Sequence, residues 1–277
     1  MKKSVVVSVF VALFLHGCTP EYQLARSFRD HPPAFHLLVK PPLVLYSFNH
    51  KGEVVEGFGT LSEQQQDSAL FASSNFIREI SDSIFLEQYV NHFVEESRKL
   101  GFTVYLGEEE AKPILDTCYQ AYIVNMAQLQ VDEYYYPVEE KEYFFDTLFY
   151  KRFDLNALDF SVWLELNNWR NRGRAGTTLY SSNTMTDDFE GAFIMDPFQT
   201  GVKYRYAIDS LTVKDVYDIA GYLGRIHASY LYDFFLNQYI LFHFSGNFTP
   251  QVYYHFNRFR DTFTPVEDER FDILNTN

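Results

Sequence analysis

Apolar residues fall along this chain in a few regular runs, and each run has a period that names an element. Between residues 67 and 100, Phe76, Ile77, Ile80, Ile84, Phe85, Tyr89 and Phe93 recur at helical spacing. Arg98 and Lys99 follow where a helix dipole favours cations, and Gly101 stands where a left-handed stop is expected. Ser81-Asp82-Ser83 interrupts the run, so the pattern predicts one long helix or two in series. A second helix is predicted over about 213–242. Thr212 serves as its N-cap, Asp215 completes a capping box, and Val216, Ala220, Leu223, Leu231 and Phe235 lie on its apolar stripe. Ser245 and Gly246 close that pattern.

Period two marks the strands. Leu158, Phe160, Val162, Leu164 and Leu166 alternate with Asp159, Ser161, Trp163 and Glu165, as in a half-buried antiparallel strand. Weaker strands are predicted at about 43–48, 102–106, 119–131 (with a bulge), 176–184 and 202–208. Pro41-Pro42 cannot lie inside a central strand. The order predicts an α+β fold, a mostly antiparallel sheet packed by two long helices, forming a single domain over 36–246. Residues 247–277 read as a C-terminal extension, and 18–35, with Pro20, Pro32 and Pro33, as a tether. By element order alone, this layout is similar to small accessory lipoproteins of the bacterial envelope.

The first residues carry the most specific signal. Lys2 and Lys3 precede an apolar run from Val5 to Leu15, then His16, Gly17 and Cys18. A cationic start, a short apolar stretch and a small residue before the cut describe a secretory signal peptide over 1–17. The run is too short to span a bilayer, which takes roughly 20 residues. Leu15-His16-Gly17-Cys18 resembles the lipobox of bacterial lipoproteins, with His16 departing from the usual small residue. The resemblance implies a diacylglyceryl group on the Cys18 thiol, cleavage between Gly17 and Cys18, and an acylated new amino terminus. More than one acyl chain gives stable anchoring. Thr19 after the cysteine, with no acidic run following, points to the outer membrane, facing the periplasm.

Charge narrows the partners. The formal net charge is −14, and it grows more negative once Lys2 and Lys3 leave. Nucleic acid is excluded as a partner, since phosphate binding needs basic residues. Electrostatic docking to anionic lipid is disfavoured as well, so the lipid on Cys18 does the anchoring and the domain is expected to stand off the membrane. An envelope protein partner is compatible with this surface. Lipidation of Cys18 leaves Cys118 alone, where it reads as a small buried hydrophobe.

No catalytic motif stands out. There is no glycine-rich phosphate loop, no paired-histidine metal helix and no Gly-x-Ser-x-Gly elbow. No cofactor or metal is implied. Asp187, Asp188 and Glu190 read as a solvated loop without the spaced oxygens of a calcium loop. Asp159 and Glu165 share a strand face but lie roughly 20 Å apart at strand rise, too far for a glycosidase pair. Trp163 on the polar face is a candidate binding residue, able to stack a sugar or seat a partner. Tyr134, Tyr135 and Tyr136 form a candidate binding loop within an acidic stretch, and Trp169 is a further glycan candidate. The chain reads first as a non-enzymatic, membrane-anchored binding or assembly module. The alternatives are a secreted hydrolase with a site assembled from distant residues, and a surface glycan-binding protein.

Overall fold

The alternation around Trp163 belongs to a much longer strand. The computed structural model describes residues 20–54, 57–171, 176–196, 201–244 and 252–274. Strands β1 (His36–Lys40), β2 (Tyr46–Asn49), β3 (Thr103–Tyr105), β4 (Ala121–Phe144), β5 (Thr147–Asn168), β6 (Thr177–Thr186) and β11 (Asp272–Leu274) form a seven-stranded sheet. Its order is β11-β6-β5-β4-β1-β3, with β2 also on β4. The fold is α+β, as the patterning predicts. The antiparallel expectation holds for β4-β5-β6-β11, whereas β1 and β2 run parallel to β4 and make the sheet mixed.

Pro41 and Pro42 explain the split between β1 and β2. The two strands line the same edge of β4, at residues 121–125 and 130–133, and the prolines fall in the gap where no ladder donor is needed. The predicted strand at 43–48 is thus only the second of two. The bulge expected in β4 lies between Met126 and Gln128, and it keeps Leu129 and Val131 on the same side as Val124 and Met126.

Five helices accompany the sheet among the described residues: α1 (Pro20–Asp30), α2 (Glu63–Ser73), α3 (Asp82–Lys99), α4 (Glu108–Leu115) and α5 (Val213–His243). Helices α3 and α5 bury their stripes on one sheet face. Phe85 stacks on Phe160 at 5.9 Å, and Leu158, Val162 and Leu164 join the same core. The region 67–100 is two helices. Helix α3 starts after Ser81 and ends at Gly101, whose φ of 95° closes a Schellman motif with Phe102 N–H donating to Ser97 O. Thr212 and Asp215 form the capping box of α5.

Two expectations about the ends are corrected. Residues 20–30 are a helix, with Ala25 and Phe28 fully buried, so no flexible tether separates this part from the core. Phe28 meets Tyr232 and Tyr239 on α5, a partner set that sequence period cannot reveal in eleven residues. The C-terminal region is also integral. Hairpin β9 (Tyr253–Asn257) and β10 (Thr262–Val266) packs on α5, and β11 joins the main sheet. Cys18, Gly17, the rest of the signal segment, Ser245 and Gly246 lie outside the described residues.

The stretch read as an acidic tyrosine loop is strand throughout. Residues 134–144 of β4 and 147–156 of β5 run on past β2 and β6 as a two-stranded arm, closed by Phe145 and Asp146, both at positive φ. A second hairpin, β7 (Asp188–Asp196) and β8 (Gly201–Asp209), lies over one face of this arm. Phe153 meets Phe189, Tyr204 and Tyr206 there, and Phe149 meets Phe193.

Candidate functional site

The sheet has one face under α3 and α5 and a second face that is covered unevenly. At one end, α4 packs Ala111 and Leu115 over Leu38, Ala121, Ile123 and Trp169. At the other end, the β7-β8 hairpin covers the arm. Between them the strands β2, β4, β5 and β6 present a strip that no described element covers. Cross-strand register sets its rows: Asn125 with Glu165 and Thr178, then Gln128 with Trp163 and Tyr180. Next come Tyr46 with Gln130, Ser161 and Ser182, then Phe48 with Asp132, Asp159 and Thr184. From Asp159 to Glu165 the strip is roughly 20 Å long at strand rise, and four strands make it about 14 Å wide.

Its side chains are tied to one another. Gln128 Nε2 donates to Gln130 Oε1 at 2.7 Å, and Gln130 Nε2 donates to Asp132 Oδ2 at 2.7 Å. His50 Nε2 lies 3.1 Å from Asp132 Oδ1. Asn125 Nδ2 donates to Glu165 Oε2 at 2.8 Å. Asp159 accepts from the Thr184 hydroxyl and, at 3.4 Å, from Tyr134. Trp163 lies half-buried against Tyr180, with ring centroids 4.9 Å apart, and Ser161 Oγ is 3.2 Å from Tyr180 Oη. Tyr46 and Phe48 are 44% and 47% exposed at the strip's edge. The result is a flat face of fixed amides, carboxylates and hydroxyls around aromatic surfaces. Such a face can receive hydrogen bonds from a polar ligand while a ring seats its apolar side.

The other candidates separate. Tyr134 and Tyr136 point to the same side of the sheet as the strip, Tyr136 being 47% exposed. Tyr135 points the opposite way, its ring 4.9 Å from the Lys51 ammonium, so the three tyrosines do not act as one patch. Trp169 is buried and donates its indole N–H to Asp116 at 2.8 Å, which removes it as a glycan platform. Cys118 is half-buried against the small core under α4. Asp187 is buried, not solvated. Its carboxylate accepts from the N–H groups of Asn156 and Leu211 and from the Asn156 amide, fixing the bend from β6 into β7, while Asp188 and Glu190 lie in β7.

Sequence reasoning missed the partners of Trp163. Asp132, Gln128 and Tyr180 lie 31, 35 and 17 residues from it, and only the register of β4 and β6 against β5 brings them alongside. It also missed Glu133, the neighbour of Asp132 on the helix side. Glu133 is fully buried with Lys51, whose Nζ donates to it at 2.6 Å. Burial by itself would raise the Glu133 carboxyl, but the Lys51 bond, the N–H groups of Asn75 and Ile77 and the Ser74 hydroxyl hold it below the usual carboxylate range. This cluster bolts the root of the arm to the segment between α2 and α3. Among the described residues, no group of His, Cys, Asp or Glu is arranged to hold a metal ion.

No model of a known protein family matches the chain, and no curated protein matches it.

Proposed function

We propose that this protein is a lipid-anchored, non-enzymatic binding or assembly module of the bacterial envelope, held to the outer membrane through Cys18, with the uncovered strip as its working surface. The observation that carries the binding role is the strip itself. Trp163 and Tyr180 sit among side chains whose hydrogen bonds already fix their directions, and fixed groups lose little entropy on binding. Acceptors dominate, through Asp132, Asp159 and Glu165, so the surface suits a hydroxyl-rich or amine-bearing ligand. The export and anchoring half of the reading rests on the lipobox resemblance at residues 15–18.

A glycan-binding reading draws on the same aromatic and amide chemistry. A hydrolase reading has one observation in its favour, that Asp132 and Asp159 stand directly opposite each other. Opposed Cβ atoms on an antiparallel pair lie roughly 5 Å apart, near the carboxyl spacing of a retaining glycosidase. Each carboxylate is bound by donors, His50 and Gln130 for one, Thr184 and Tyr134 for the other. That is how fixed acceptors are held, and it favours the binding module.

Site-specific photocrosslinking in the native cells tests the surface. Benzoylphenylalanine is placed at Trp163, at Phe48 and at Tyr222, which is 49% exposed on α5, on the opposite side. The expected result is one shared adduct from the first two positions and none from the third. Adducts of equal yield from all three, or from Tyr222 alone, would remove the strip as the working surface.

A further inference from the structure

The helix that replaces the expected tether fixes where the lipid must emerge. Helix α1 runs antiparallel to α5, as its contacts show in order. Arg29 pairs with Asp261 in the β9-β10 turn. Toward its start, Tyr22 packs on Tyr254 and Phe263. Tyr254 is level with Asn237 on α5, to which its backbone bonds at both N and O, while Phe256, further along β9, bonds Asp233. Moving back along α1 is therefore moving toward the C-terminal end of α5. Pro20 lies about 3 Å beyond Tyr22 along the axis, and Cys18 is within about 7 Å of chain from Pro20.

Apolar side chains are exposed at that end of the molecule. Leu241 is 50% exposed, Phe242 85% and Val252 38%. Phe242 lies five residues past Asn237, about 7.5 Å further along the helix, within the reach of the two-residue link from Pro20 to Cys18. Ile240 and Tyr239 turn inward, Ile240 into the core and Tyr239 onto Phe28, so Leu241 and Phe242 form the outward pair.

We infer that Leu241, Phe242 and Val252 seat this end of the domain on the bilayer beside the lipidated Cys18. The inference rests on the anchoring proposed above and adds the orientation: the domain lies against the membrane rather than standing off it. The occupant is a lipid surface because the two-residue link from Cys18 to Pro20 leaves no room for a partner protein between this end and the acyl chains. A zwitterionic surface fits best, because Glu267 and Glu269 line the cavity of about 250 Å³ next to Leu241 and Val252 and would repel anionic lipid. An exposed Phe and Leu at an interface each gain by removal from water, and the acyl chains hold them at high local concentration.

The test uses the full chain with Cys118→Ser, lipidated in a bacterial host and reconstituted in phosphatidylcholine vesicles. A polarity-sensitive NBD label is placed through Phe242→Cys and, separately, through Phe145→Cys at the arm's tip. The expected result is a blue-shifted emission with a severalfold gain at position 242, quenched by shallow doxyl lipid, and a water-like signal at position 145. An acylated, vesicle-bound chain whose position 242 remains in water overturns the seat and leaves the anchor standing. An unacylated chain that does not bind vesicles overturns both.

Discussion

Glu133→Gln is expected to cost about 3–5 kcal/mol of folding stability, the range for breaking a buried ion pair by removing one partner. Both side chains of the Lys51-Glu133 pair are fully buried. The carboxylate accepts from Lys51 Nζ, Ser74 Oγ and the N–H groups of Asn75, Phe76 and Ile77. A glutamine turns one acceptor into a donor that faces donors, and it removes the charge that balances the Lys51 ammonium, which also bonds Asn156 Oδ1 and lies over the rings of Tyr135 and Phe76. Against a typical total of about 5–15 kcal/mol, that loss is large. Urea unfolding followed by circular dichroism measures it as a lower midpoint at unchanged slope. Replacing the pair together by Met and Leu would not restore stability, because the three backbone N–H groups would remain without an acceptor.

Acid should reveal the same cluster. The Glu133 carboxyl is depressed in the folded state, so its contribution is fully present above its unfolded value of 4.5 and is lost as pH falls through the folded value. In the Glu133→Gln variant that part of the acid dependence disappears. His227 acts in the same direction from a higher pH. Burial pushes its imidazole down to about 3, from an ordinary 6.5, so the unfolded chain binds the proton first and stability declines below that ordinary value.

The second large effect is expected at the crossing of α3 and α5. A Cβ on Gly224 would stand 2.3 Å from Tyr89 O and 3.0 Å from Phe93 N, both backbone atoms of α3. Gly224→Ala therefore forces the two helices apart, where overpacking costs about 1–3 kcal/mol or more. The displaced region includes Tyr89, whose hydroxyl lies 2.9 Å from His227 Nδ1 in the middle of the core. Gly221→Ala, one turn earlier, is the control. The three atoms nearest its Cβ all belong to the His92 ring, the closest at 3.0 Å, and that half-exposed side chain can turn. Alanine gains about 1 kcal/mol over glycine inside a helix. Gly221→Ala is thus expected near neutral or mildly stabilising, with Gly224→Ala clearly destabilised, in thermal melts of the two variants side by side.

How much of this was legible in the sequence depends on the range of the interaction. Capping at Thr212 and Asp215, the stop at Gly101 and the alternation around Trp163 are local, and each is present in the structure. The single-or-double question over 67–100 turned on a residue far away. The chain leaves helical geometry after Ser73 because the N–H groups of Asn75 to Ile77 turn to Glu133, and no local period carries that information. The acidic tyrosine stretch looked like a loop because glutamates are poor strand residues and Pro137 interrupts it. It is strand because the β7-β8 hairpin supplies aromatic partners for Phe149 and Phe153. Trp163 was legible as a candidate, while its neighbours Gln128, Asp132 and Tyr180 needed the register.

Intact mass with membrane fractionation of the wild type beside Cys18→Ala decides whether the chain is anchored at Cys18. The expected wild-type chain lacks residues 1–17, carries added diacylglyceryl and acyl mass, and pellets with membranes, while Cys18→Ala gains no such mass and does not pellet. A soluble, unacylated wild type would rule the lipid anchor out.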